Sequence, residues 1–310
     1  MSWTWFEFET CSEDEDNMPR RGSWTWSEDE EREEAWVEKY HLRNGVIVEN
    51  NNDDDDDLKI VEEGWKRLKK DQEDILLCQD THQYFFKGLE NEFSVTKLLK
   101  RWFPFDRVIV SEMCVFKAKY NHCVVYKDND VDVEMSAANI RNEWEKKMGE
   151  NSEFHKKIEH MLMTQEITDD MRDMLYPLND YMKEKNFTFY QSEVKLFVTD
   201  VVFDGKKINI GGAIDALYHN KKGEAIVVDW KRCKPKFKVG SYMADKELSK
   251  YPDTNFWQYS AQLNLYALML KKAYNITTVA KLLVFIDKDN IRTRIFHAAQ
   301  MPELEQIIKW

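Results

Sequence analysis

No run of apolar residues in this chain approaches the roughly 18 to 20 needed to span a bilayer, so a membrane-spanning helix is not expected. The opening stretch Met1 to Asp16 is acidic and lacks the basic and apolar segments of a signal peptide. The five cysteines (Cys11, Cys78, Cys114, Cys123, Cys233) include no CxxC pair, and their number is odd, which gives neither zinc-finger spacing nor a disulfide framework. Together these absences lead us to expect reduced thiols in an intracellular, non-secreted protein. The formal net charge of -12 argues against a nucleic-acid partner only until it is located along the chain. Residues 1–60 carry 19 Asp and Glu against 6 Lys and Arg, a net of -13, which leaves +1 for residues 61–310.

What is present divides into three parts. The first 60 residues hold acid runs at Glu13–Asp16, Glu28–Glu31 and Asp53–Asp57, a composition that resists collapse, so a mostly disordered tail is expected. Ser-Trp-Thr-Trp occurs twice within it, at Ser2–Trp5 and Ser23–Trp26. Chance in a Trp-rich chain is one reading. A duplicated docking motif is the one we favour, its aromatics seating on a partner and its acids steering toward a basic surface. Residues 61–150 are expected as a helical lobe, and 151–310 as the core. Apolar spacings of three and four predict amphipathic helices over Ala137–Met148 and Ser152–Met163. Strands are expected over Phe187–Val198, Ile208–Tyr218 and Ala225–Trp230, with turns at Asp204-Gly205 and His219–Gly223. A long helix over Phe256–Ala273, a hairpin of Val279–Ile286 and Ile291–His297 around Asp289-Asn290, and a closing helix over Pro302–Lys309 complete an α/β chain.

The chemistry concentrates between Gly211 and Lys231. Asp215 and Asp229 both stand in apolar strands, where an unpaired carboxylate costs several kcal/mol, so a shared cation would explain them. Lys231 lies two residues past Asp229, and a strand's period of two puts both side chains on one face. Hard oxygen ligands suit Mg2+ or Mn2+, which polarise phosphoryl oxygens. A same-face ion pair of Asp229 with Lys231, and a turn cap at Asp215, are the plainer readings; the apolar flanks favour the metal. The basic stretch Lys231, Arg232, Lys234, Lys236 and Lys238 comes directly after, placed to hold a phosphate backbone without regard to sequence.

Ile214-Asp215 followed by Val227-Val228-Asp229-Trp230-Lys231 resembles the catalytic hairpin of the PD-(D/E)xK nucleases, with Asp229 and Lys231 at the (D/E)xK positions. Gln262-Leu263-Asn264-Leu265-Tyr266 is similar to the QxxxY signature of the RecB-like exonuclease branch, and His155, with Glu159, to its helical histidine. A weaker likeness to nucleases of large DNA viruses and phages reaches back through Phe103-Pro104-Phe105-Asp106 and Ser94–Leu99. Those relatives usually carry Gly-Thr where this chain has Asn151-Ser152. The resemblance implies a restriction-endonuclease-like core, a central mixed sheet flanked by helices with the metal site at its edge. It implies a metal-dependent deoxyribonuclease acting from ends in DNA repair, recombination or replication. Metal ligands would be His155, Asp215, Asp229, the Trp230 carbonyl and Glu193, with Lys231 as electrostatic catalyst. Gln262, Tyr266, Arg232, Lys234 and Lys236 would hold DNA. No cysteine cluster follows the QxxxY helix, so no iron–sulfur cluster is expected. A structure-selective endonuclease, a cap-snatching RNA endonuclease and a non-catalytic DNA-binding scaffold are the alternatives. The tail's expected partner is a basic protein such as a helicase or single-strand-binding protein. Asp229→Asn and Lys231→Ala are expected to abolish cleavage while sparing the fold.

Overall fold

The computed structural model describes residues 55–78, 81, 83–120, 125–128, 131–134, 136–166, 168–233, 235–237, 242–286 and 293–310. The two Ser-Trp-Thr-Trp motifs, Lys234, Lys238 and the Asp289-Asn290 turn lie outside these, as does all but the end of the acidic tail.

The chain is α/β, with a mixed sheet flanked by helices. In order it forms α1 (Asp55–Asp74), β1 (Ile75–Cys78), β2 (Gln83–Phe86), β3 (Leu89–Glu90), β4 (Phe93–Ser94), α2 (Val95–Leu99) and α3 (Arg107–Tyr120). Then come β5 (Val125–Asp128), β6 (Val131–Glu134), α4 (Ala137–Thr164), α5 (Asp169–Glu184), β7 (Thr188–Phe203), β8 (Lys206–His219) and β9 (Ala225–Lys231). The last elements are α6 (Asn255–Tyr274), β10 (Thr278–Ile286), β11 (Thr293–His297) and α7 (Glu303–Ile307). Among the described residues no helix is long and apolar enough to cross a membrane.

Six strands make the main sheet, in the order β11-β10-β9-β8-β4, with β7 along the other side of β8. The β7–β8 hairpin closes through Asp204 and Gly205, both at positive φ, the conformation a two-residue hairpin turn requires. The opposite side of β8 is divided. Its end, Ala216–His219, pairs antiparallel with β9, while Ile210 and Gly211 pair parallel with β4. Beyond Ala216↔Val228 β9 leaves β8 and continues parallel to β10, with Asp229, Trp230 and Lys231 opposite Leu283, Val284 and Phe285. A gap in the ladder therefore opens between β8 and β9 at Asp215 and Asp229.

One face of the sheet packs on α6, which is buried almost throughout, with Val227, Leu217 and Leu283 against Leu263 and Met269. The other face packs Ile226, Val228 and Trp230 on Phe154, Ile158 and Met161 of α4 and on Leu175, Leu178 and Met182 of α5. β9 is thus covered on both sides, and its near-continuous apolar run follows from that.

Two expectations are corrected. The two helices expected over 137–163 are one helix, α4, running through Gly149 and Asn151. A mid-helix glycine costs only about 1 kcal/mol, and both halves are anchored, Ile140 and Trp144 against α3 and Phe154 to Met161 against the sheet. Helix α4 runs across residue 150, and the stretch before it adds the short strands β1 to β6 to its helices. The carboxylates of Asp215 and Asp229 stand inside the sheet, where β9 parts from β8, rather than at its edge. Helix α5, with Pro177 in its middle, has no counterpart among the expected elements.

Candidate metal centre

The gap between β8 and β9 collects most of the chemistry-bearing residues. Asp215 sits one residue before the last β8–β9 pair, and its Oδ2 accepts the Trp230 amide at 3.0 Å, standing in for the ladder bond that the parting strands give up. From α4, His155 brings Nδ1 to 3.5 Å from the same Oδ2. Glu193 of β7 falls between the pairs Ser192↔Ala216 and Val194↔Ile214, and so opposite Asp215. Its φ is 49°, a left-handed conformation that a non-glycine residue holds at a cost of about 1–3 kcal/mol and that concentrates at functional sites. His155, Glu193 and Asp215 offer ligand atoms that all lie within 4.8 Å of one another.

Asp229 and Lys231 lie deeper, on the α6 face of β9, each 1% exposed. Their side chains meet at 2.7 Å, and Lys231 Nζ stands 4.3 Å from the centre of the Tyr259 ring. Asp229 Oδ1 is buried with no hydrogen-bond donor among the described residues. Burial raises the Asp229 pKa, with Asp215 adding to the rise and Lys231 opposing it. Glu193 is raised likewise by burial and then by the charges of Asp215 and Glu159. Burial lowers His155, against the pull of Asp215 and a hydrogen bond to the Trp230 backbone, and so favours the neutral imidazole that a metal requires. Three carboxylates crowded in a low-dielectric gap repel one another. A bound cation relieves that repulsion. The donor set fits a divalent ion.

The full burial of Asp229 and Lys231 changes one expectation. Removing either partner leaves a buried charge uncompensated, at about 3–5 kcal/mol, so substitution at Lys231 does not spare the fold.

Gln262 and Tyr266, one turn apart on α6, are both buried and bonded to each other, Nε2 to Oη at 3.3 Å. The Tyr266 ring fits beside Gly212, where a Cβ would come within 2.7 Å of its Cε1. Arg232 lies over the Phe154 ring at 5.3 Å, and the Lys236 amide donates to Asn255 Oδ1 at 2.7 Å, fixing the loop after β9 to the start of α6. Cys78, Cys114 and Cys233 are not joined in disulfides. Sequence patterns alone did not single out two side chains on the strands next to the acids. Lys195 stands two residues past Glu193 on β7, and Tyr84 of β2 lies against Gly211. The Lys195 signal was present in the alternation of Ser192 to Leu196; Tyr84 is over a hundred residues distant in sequence and carried none.

No family model and no curated protein matches the chain. A solved structure titled "Crystal structure of SSO0001" aligns with 63% of this chain and 81% of that one, at 18% identity and a TM-score of 0.24, too loose a superposition to carry an argument.

Proposed function

We propose that the chain is a divalent-metal-dependent nuclease of the PD-(D/E)xK type, RecB-like branch, on a restriction-endonuclease-like core, hydrolysing DNA phosphodiesters with Mg2+ or Mn2+. The observation that carries this reading is the convergence of His155, Glu193, Asp215, Asp229 and Lys231 on one gap between two strands that hold carboxylates where ladder bonds end. His155, Glu193, Asp215 and Asp229 would hold the ion, with the Trp230 carbonyl as a further oxygen. A divalent ion there supplies Lewis-acid polarisation of the phosphoryl group and acidifies a bound water.

The chain's own residues supply the rest. The Trp230 amide fixes the Asp215 carboxylate, and the left-handed backbone at Glu193 aims a second carboxylate at the first. Lys231, held by Asp229 and the Tyr259 face, is a fixed positive charge in a low-dielectric site, suited to offsetting charge that builds on a phosphate. Its full burial gives it little freedom to reorganise as that charge develops. Arg232 and Lys236, with Lys234 between them in the sequence, follow β9 and would meet the backbone on either side of the cut.

End-labelled and circular single- and double-stranded DNA and RNA, incubated with Mg2+, Mn2+ or chelator, test the reading directly. We expect metal-dependent cleavage of DNA that Asp229→Asn abolishes, with end-labelled linear DNA cut in preference to circles. Absence of metal-dependent cleavage on every substrate would contradict it.

A further inference from the structure

Beyond the carboxylates, β7 and β8 continue toward the small sheet of β1 to β3. The register is unbroken from Val194↔Ile214 to Phe197↔Gly211, so Lys195 and Phe197 share a face with Ala213 and Gly211. Contacts confirm it. Phe86 packs on Phe197 with ring centres 5.7 Å apart, the Lys195 ammonium donates to the Ile75 carbonyl, and Tyr84 lies over Gly211. A Cβ at Gly211 would come within 2.6 Å of Tyr84 Cβ, so only glycine admits the tyrosine here. The opposite face of the same segment, Val194, Leu196, Ile210 and Ile214, is buried in the core.

Both side chains are held in place and keep hydrogen-bonding capacity. Gln72 of α1 pairs with the Lys195 backbone as a strand would, its Oε1 accepting from the amide at 2.8 Å and its Nε2 donating to the carbonyl at 2.9 Å. Tyr84 is fixed by Asn91, whose Oδ1 accepts the Tyr84 amide and whose own amide donates to the Tyr84 carbonyl. The Lys195 ammonium has three donors and meets one acceptor, and it forms no ion pair among the described residues. The Tyr84 hydroxyl makes no hydrogen bond among them. A cation with two unused donors thus stands on β7 opposite Ala213, two residues along β8 from Asp215.

We propose that Lys195 and Tyr84 form a second phosphate subsite, which holds the phosphodiester adjoining the one at the carboxylates. The proposal rests on the nuclease reading. Lys195 contacts the anionic oxygens, Tyr84 donates its phenolic hydrogen to the same group, and the small side chain of Ala213, opposite Lys195, leaves room for a sugar–phosphate backbone to approach. Burial and the nearby acids hold the Tyr84 phenol protonated, and thus a donor.

Steady-state cleavage of a fluorescein-labelled DNA oligonucleotide by the full chain with Mn2+, repeated over a range of salt, tests it. Lys195→Gln retains a donor for the Ile75 carbonyl while removing the charge, and Lys195→Arg retains both. Loss of one phosphate contact predicts that Lys195→Gln raises KM about tenfold, with kcat within about twofold, and lowers the salt slope by about one. Lys195→Arg should recover most of the KM, and Tyr84→Phe should raise it less than Lys195→Gln. A methylphosphonate at the adjoining linkage should weaken wild type and leave Lys195→Gln little changed. If Lys195 serves only to tie β1 to β7, Lys195→Gln and Lys195→Met change thermal stability but neither KM nor salt slope, and the subsite is wrong while the nuclease reading stands. A wild-type protein that neither cleaves nor binds DNA or RNA overturns the nuclease reading itself, and the subsite with it.

Discussion

Two polar assemblies lie on this sheet and differ in one respect. On the α6 side, Asn264 donates to the Ser260 and Ala299 carbonyls, each at 2.7 Å, and its Oδ1 accepts from Lys281 at 2.8 Å; Ser260 Oγ takes the Ala299 amide at 3.0 Å, and Gln300 takes a second Lys281 hydrogen at 2.7 Å. Both Asn264 amide hydrogens and its oxygen are matched, which tethers α6, β10 and the 298–301 segment. At the β8–β9 gap the groups are just as buried but like-charged, one residue is in a left-handed conformation, and a carboxylate oxygen has no donor. A satisfied buried network fixes a structure; an unsatisfied one is sustained by the rest of the fold and requires something from outside.

The comparison is broken most severely by Lys231→Ala. That substitution should abolish cleavage and lower unfolding free energy by about 3–5 kcal/mol, read by urea titration, because Asp229 is then buried without a counter-charge. Asn264→Ala should cost about 1–3 kcal/mol through the donors and acceptors it strands, with metal-dependent cleavage within about twofold of wild type. If Asn264→Ala damaged cleavage as much as Lys231→Ala does, the division between the two assemblies would be false.

Much of this contrast was legible in the sequence. Asp215, Asp229 and Lys231 stand out because strand periodicity and apolar flanks make buried charge conspicuous, and β7, β8, β9, α6, β10 and β11 all lie where that periodicity places them. Left-handed Glu193, the parting of β9 from β8, and the packing of Tyr84 on Gly211 were not legible. Each depends on pairing between segments far apart in the chain, which no local pattern encodes. In α4 and α5, tertiary packing overrides the local cost of Gly149 and Pro177, a preference of a few kcal/mol.

The smallest expected effect belongs to the satisfied network. Burial lowers the Lys281 pKa to about 8. A lysine depressed in the folded state binds its proton less tightly there than in the unfolded chain, so stability should rise as pH climbs from about 8 toward 10.5. Lys281→Met should flatten that segment of the pH–stability curve, measured as the midpoint of urea unfolding; an unchanged slope would place the ammonium in water.

Calorimetric titration of Mn2+ into the full chain tests the central claim most directly. Saturable binding is predicted for wild type and for Asn264→Ala, and its loss for Asp215→Asn, with the wild-type melting temperature rising as the ion is added because only the folded state binds it. Equal binding by wild type and Asp215→Asn, or none by either, would contradict the account.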